Sequence, residues 1–167
     1  MFTGWEITLK VTKPKGFEPP PFIFAVDTRE QLQFPLLGFA FIRKTLASGD
    51  YSIVGYEDRV TVERKSVSDL WGSMSTGRAR FERCVRRMAE LDRAAIVIEG
   101  SLTQAATQPS RVERTTPASV IGGLISWSVQ HAIPVFFCDT REQAERVTVR
   151  FLASWFKHRS GLFVKLQ

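Results

Sequence analysis

Cysteine and histidine are scarce in this chain, two of each among 167 residues. Cys84 and Cys138 match no zinc-ligand spacing and make no disulfide framework, so both read as reduced core residues of a cytoplasmic protein. His131 and His158 are too few and too far apart in sequence to suggest a metal site by themselves. No apolar run approaches the ~20 residues that cross a bilayer, which excludes a helical membrane span. The start, MFTGWEITLKV, lacks the basic opening and continuous apolar stretch of a secretory signal. No internal repeat is evident. What remains is the composition of a soluble globular protein, 44% hydrophobic and 24% charged, long enough for one domain with a real core. Lys and Arg number 23 against 17 acids, a net charge of +6, which favours polyanionic partners such as nucleic acid.

Local patterns divide the chain. Residues 1–21 read as a short alternating strand, Glu6 to Val11, and a Lys/Pro-rich arm ending in Pro19-Pro20-Pro21, which cannot be helical. The run PFIFAVDTRE reads as a strand buried on both faces and closing on Asp27. FAFIRKTL, from Phe39 to Leu46, is a second strand stopped by Ala47-Ser48-Gly49-Asp50. YSIV and RVTVERK, separated by Gly55-Tyr56-Glu57-Asp58, form a hairpin. From Ser66 the period becomes helical. Ser66 with Asp69 caps a short helix through Leu70 and Trp71, and a longer helix runs to about Leu91 with Phe81, Cys84, Val85 and Met88 on one side. AAIVIEG and IPVFFCD are further buried strands. Thr116-Pro117 opens a helix that is apolar nearly all round, and Thr140 with Gln143 caps the last one, through about Lys157. Such alternation predicts an α/β protein with a mixed sheet.

One strand ends strangely. VTVERKSVSD places Glu63, Arg64 and Lys65 where an apolar strand should stay apolar, and burying charge is costly. A lone triplet of this kind is usually a solvated strand end. Successive side chains alternate, however, so Glu63 and Lys65 project together, roughly 6.5–7 Å apart, while Arg64 points away. Asp50, on the adjacent turn, and Asp27, at the end of the first apolar strand, can add hard oxygen donors, a set suited to Mg²⁺ or Mn²⁺. A metal held by Asp50 and Glu63 would neutralise a phosphodiester and acidify water. Lys65 could orient that water, accept its proton or stabilise developing charge.

The order GDY (Gly49 to Tyr51) and VERKSVSDL (Val62 to Leu70) resembles the GDXnERKXXXD signature of the XPF family of structure-specific DNA endonucleases. VDTRE (Val26 to Glu30), Gly72-Ser73 with Gly77-Arg78, and the AIVIEG strand match its other patterns, over about Phe24 to Phe156. The resemblance implies a three-layer α/β/α restriction-endonuclease-like fold with a central mixed sheet, spanning residues 22–167 as the nuclease domain. It implies metal ligation by Asp27, Asp50 and Glu63, catalysis by Lys65, and a site completed by Arg64 and Asp69. It further implies Mg²⁺ or Mn²⁺ as cofactor and branched or flapped DNA as substrate. No tandem helix-hairpin-helix module or helicase motif occurs through Gln167, so a separate DNA-targeting partner is expected.

Among the arginines, Arg78 precedes the helix close to the site and is the better phosphate contact. Arg80, Arg83 and Arg87 share one helical face, a DNA-facing stripe or simply a solvated one. Arg29 either pairs with Glu30 on the surface or faces phosphate. The apolar surface of residues 118–130 exceeds what one sheet face requires, and relatives dimerise through this domain, so a homodimer is expected. Two other readings stand beside the endonuclease: a catalytically silent DNA- or partner-binding subunit of the same fold, and a nuclease acting on RNA or single strands.

Overall fold

Fully buried β-branched and aromatic residues cannot leave backbone groups unpaired, so the apolar runs pair edge to edge. The computed structural model describes residues 20–36, 38–108 and 115–160. The expected strand at Glu6 to Val11, and all but the end of the Pro-rich arm, lie outside the described residues.

The strands are β1 (Phe24–Val26), β2 (Phe41–Arg43), β3 (Tyr51–Ile53), β4 (Val60–Ser66), β5 (Arg93–Glu99) and β6 (Val135–Cys138). They form one sheet in the order β2-β1-β3-β4-β5-β6. Pairs β1–β2, β4–β5 and β5–β6 are parallel, while β1–β3 and the expected hairpin β3–β4 are antiparallel. The sheet is therefore mixed. Helices are α1 (Val67–Met74), α2 (Arg78–Ala89), α3 (Leu102–Thr107), α4 (Pro117–His131) and α5 (Arg141–Ser160). The short α3 was not expected, although Ser101 and Gln104 form a complete capping box at its start.

Alternation along β5 divides the interior. Ala95 and Val97 join Val60, Val62, Val149 and Leu152 in a core beneath α5. Ala94, Ile96 and Ile98 face the other way, against Leu70, Phe81, Val85 and Leu124 from α1, α2 and α4. Helices thus cover both faces, giving the expected three-layer α/β/α sandwich. Each valine, isoleucine, leucine or phenylalanine so buried contributes about 1.5–3 kcal/mol of transfer free energy. On α4 the apolar surface is split: Val120, Leu124 and Trp127 are buried, while Ile125 and Val129 are 59% and 79% exposed. Among the described residues no helix is long and apolar enough to cross a membrane.

Candidate active site

Asp50 owes its position to the glycine before it. Gly49 adopts φ +74°, a left-handed conformation disfavoured for side-chain-bearing residues, and a Cβ there would lie 2.0 Å from Thr61 Oγ1. That close approach lets Thr61 Oγ1 donate to the Ser48 carbonyl at 2.9 Å. The Asp50 N–H then donates to the Val62 carbonyl and the Asp27 N–H to the Asp50 carbonyl, both at 2.8 Å. The two aspartates leave adjacent strand ends side by side. The loop after Asp27 is held by Arg43, whose Nη2 donates to the carbonyls of Asp27, Thr28 and Glu30.

On β4, Val60 and Val62 face the α5 side, so Glu63 and Lys65 emerge on the other, toward α2. Lys65 Nζ lies 2.9 Å from Glu63 Oε1 and 4.2 Å from the centre of the Phe81 ring. Cys84, on α2, approaches Glu63 Oε2 with its thiol at 3.7 Å. Asp50, Glu63, Lys65, Arg80, Cys84 and Arg87 line one cavity of about 220 Å³, with Asp27 and Arg29 at its wall. A wider groove of about 830 Å³ shares Arg29, Asp50, Glu63, Lys65 and Arg80 and reaches Asp69.

The charges here are strained in one place and satisfied in another. Burial, and then the neighbouring Glu63 charge, push the Asp50 carboxyl well above the ordinary carboxylate range. Its Oδ2 accepts one hydrogen bond, from the Arg64 N–H at 2.8 Å. Asp27 shows the opposite balance. Burial opposes its charge, but hydrogen bonds from the Arg29 side chain and the Leu46 and Arg29 N–H groups prevail and lower its pKa. The Cys84 thiol is pushed up to about 11, by burial first and by Glu63 second. A neutral thiol is no strong nucleophile.

Most of the expected residues converge, and several do other work. Arg64 does point away from Glu63 and Lys65. Its guanidinium, 7% exposed, donates to both oxygens of Glu99 at 2.7 and 2.6 Å and more distantly to Glu30 at 3.3 and 3.4 Å. Arg141 Nη1 completes this cluster on Glu99 Oε1 at 2.8 Å. Arg29 pairs with Asp27, through two bonds of 2.8 Å, rather than with Glu30. Asp69 lines the groove and serves the α1 cap: its N–H donates to Ser66 Oγ, and its carboxylate accepts from that hydroxyl. Arg80 enters the cavity, whereas Arg78 lies 5.0 Å from the Trp127 ring and neither it nor Arg83 lines the cavity. From sequence Arg87 enters only as part of the arginine stripe with Arg80 and Arg83, and Cys84 not at all as a site residue. The turn spacing from Arg80 and Arg83 carried the signal for Arg87, and Cys84 lay on the apolar side of its helix without any.

As a cation site the donor set is suitable but compact. Among the described residues no group of three or more His, Cys, Asp and Glu is close enough to hold a metal ion. Asp50 and Glu63 share the cavity and repel, and a divalent cation is what two such hard oxygen donors accommodate. Both Asp27 oxygens are engaged by Arg29, so Asp27 can join only by exchanging that partner.

Comparison with known proteins agrees with this architecture. The ERCC4 domain model matches residues 26–151. XPF from Aeropyrum pernix is similar at 25% identity and a TM-score of 0.64, over 87% of this chain and 66% of that one. The same protein in complex with DNA gives a TM-score of 0.62 at 23% identity, over 87% of this chain and 68% of that one. The chain thus spans about two thirds of these relatives' length. No curated protein matches it. From the strand that delivers Asp27 to the helix that closes the far face, the matched segment is the sandwich just described, and the chain belongs to the ERCC4-domain family of XPF-type nucleases.

Proposed function

We propose that this protein is a metal-dependent DNA endonuclease that hydrolyses phosphodiester bonds at branched or flapped DNA. One observation carries the reading: Asp50, from the turn before β3, and Glu63 and Lys65, from β4, meet in a single cavity also lined by Arg29, Arg80 and Arg87. Asp50 and Glu63 would hold Mg²⁺ or Mn²⁺, and Asp27 would add a donor only if Arg29 gave it up. When bound, the ion supplies Lewis-acid stabilisation of the phosphoryl group and acidifies water. Lys65 donates through its ammonium to the phosphoryl oxygens or orients the attacking water from the same side. Arg29 and Arg80 balance the phosphate charge of the strand in the groove, and Arg87 adds charge from the cavity. Arg64 contributes its N–H to Asp50 and anchors β4 to β5 through Glu99, setting where the acids stand.

The DNA complex of the similar Aeropyrum pernix XPF supports nucleic acid as the partner. The exposed Ile125 and Val129 on α4 support a homodimer through that helix. The two free thiols suit a reducing cytoplasm.

Labelled flap, fork, duplex and single-stranded DNA, incubated with Mn²⁺ and with EDTA, tests this reading. Cleavage of the branched substrates that EDTA abolishes is expected, with Asp50→Ala and Lys65→Ala folded and inactive. Full activity in either variant overturns the assignment, and binding without cleavage in the wild type points to a silent subunit. Light scattering at micromolar concentration tests the dimer, against which a sharp monomer mass would count.

A further inference from the structure

Lys65 carries a four-carbon stem with many rotamers, and a free stem of that kind loses considerable entropy when confined. Its ammonium has two attractors. One is Glu63 at 2.9 Å, a carboxylate whose charge a divalent cation would claim. The other has no charge for a metal to claim: the Phe81 ring, 4.2 Å from Nζ. Other cation–ring contacts among the described residues run from 5.0 to 5.8 Å.

The ring is itself immobilised. Phe81 is 4% exposed and Trp127 5%, and the two meet edge to face, 5.5 Å apart at 79°. Arg78, one turn before Phe81 on α2, lies over the Trp127 ring. Two rings, one from each of two helices, therefore hold a cation at either end. Packing alone would be met by any apolar side chain of similar volume. A negative ring face turned on an ammonium is a property only an aromatic supplies.

We infer that Phe81 is a positioning residue for the reaction: its ring, buttressed by Trp127, keeps the Lys65 ammonium in the cavity once Glu63 is engaged by the cation. The inference rests on the function proposed above. It assigns to a core phenylalanine the task of holding the catalytic amine where a carboxylate alone would release it.

Phe81→Leu retains an apolar side chain but removes the ring face, and Phe81→Tyr retains the ring. In the metal-free protein, NMR of lysine labelled at the ε-methylene should show Lys65 shifted upfield by the ring current, kept in Phe81→Tyr and lost in Phe81→Leu. On flap DNA with Mn²⁺, kcat of Phe81→Leu should fall roughly 2- to 30-fold with KM unchanged, and Phe81→Tyr should recover it. Fluorinated phenylalanines at position 81, which keep the shape and drain the ring face, should lower log kcat stepwise at constant melting temperature. That series decides the matter even where Phe81→Leu fails to fold. Unaltered kcat across the series, beside an inactive Lys65→Ala, overturns this inference alone. An active Lys65→Ala overturns the catalytic reading of the site and this inference with it.

Discussion

Removing Glu99 should destabilise the protein far more than its place at a strand end suggests. Glu99 receives two short bonds from Arg64, at 2.7 and 2.6 Å, and one from Arg141 at 2.8 Å. Without it, the Arg64 guanidinium, 7% exposed, keeps the 3.3 and 3.4 Å contacts to Glu30 and the Phe34 ring 5.8 Å away. Breaking a buried ion pair from one side costs roughly 3–5 kcal/mol, because an uncompensated charge is left behind. Glu30 offsets some of this, and Arg141, 39% exposed and bonded to the Leu32 and Gln33 carbonyls, loses little. We expect Glu99→Ala to lose about 3 kcal/mol, which for a chain of this size is about 6–12 °C in Tm. Converting the buried members, Glu30→Gln with Arg64→Met and Glu99→Leu, leaves only the part-exposed Arg141 without its carboxylate and should return most of that stability. Calorimetry and urea denaturation of the three proteins provide the measurement. A shift below about 2 °C for Glu99→Ala, or a combined variant as unstable as the single one, would refute the account.

Gly49→Ala should be severe and Gly55→Ala less so, limited to the strain of its left-handed backbone. Both glycines have positive φ, +74° and +84°, but only at Gly49 does a Cβ meet a neighbour, Thr61 Oγ1 at 2.0 Å, so Gly49→Ala should also displace Asp50 and abolish cleavage. Equal stability and activity in the two variants would contradict this. Burial raises the pKa of Glu145, although the Leu36 N–H bonded to its Oε1 at 2.6 Å works against the rise. Its folded form therefore binds a proton more tightly than the unfolded chain, and its contribution to stability declines as pH rises from about 4.3 through the raised folded value. Glu145→Gln, which keeps an oxygen for Leu36, should be more stable than wild type at pH 7 and converge with it below pH 4, as read by denaturation between those values. Replacing Arg80 and Arg87 together with Ala should weaken DNA binding with little effect on Tm, and lower the salt dependence of the affinity by about two phosphate contacts; an unchanged salt slope would remove them from the DNA path.

Much of the site was legible because its determinants are local. A two-residue period alone puts Glu63 and Lys65 on one face and sends Arg64 to the other, whatever surrounds the strand. Gly49 before Asp50 signals a turn, and Ser66 and Thr116 announce their helices through their own hydroxyls. The helical period likewise put Phe81, Val85 and Met88 on the buried side of α2. Partners were another matter. Arg29 could face Glu30 or phosphate on sequence grounds, and the local fold of the 27–30 turn gives it Asp27 instead. Arg64 and Glu99 stand 35 residues apart and Glu99 and Arg141 stand 42 apart, so nothing local joins them. They meet because β4 and β5 pair in parallel with Arg64 beside Val97 and Ser66 beside Glu99, and α5 then delivers Arg141. For the same reason Arg87, not Arg78, reaches the acids: the docking of α2 and α4 turns Arg78 onto Trp127. The direction a side chain leaves its own element is written in backbone periodicity. What it touches depends on the register between elements remote in sequence, and only tertiary packing sets that register.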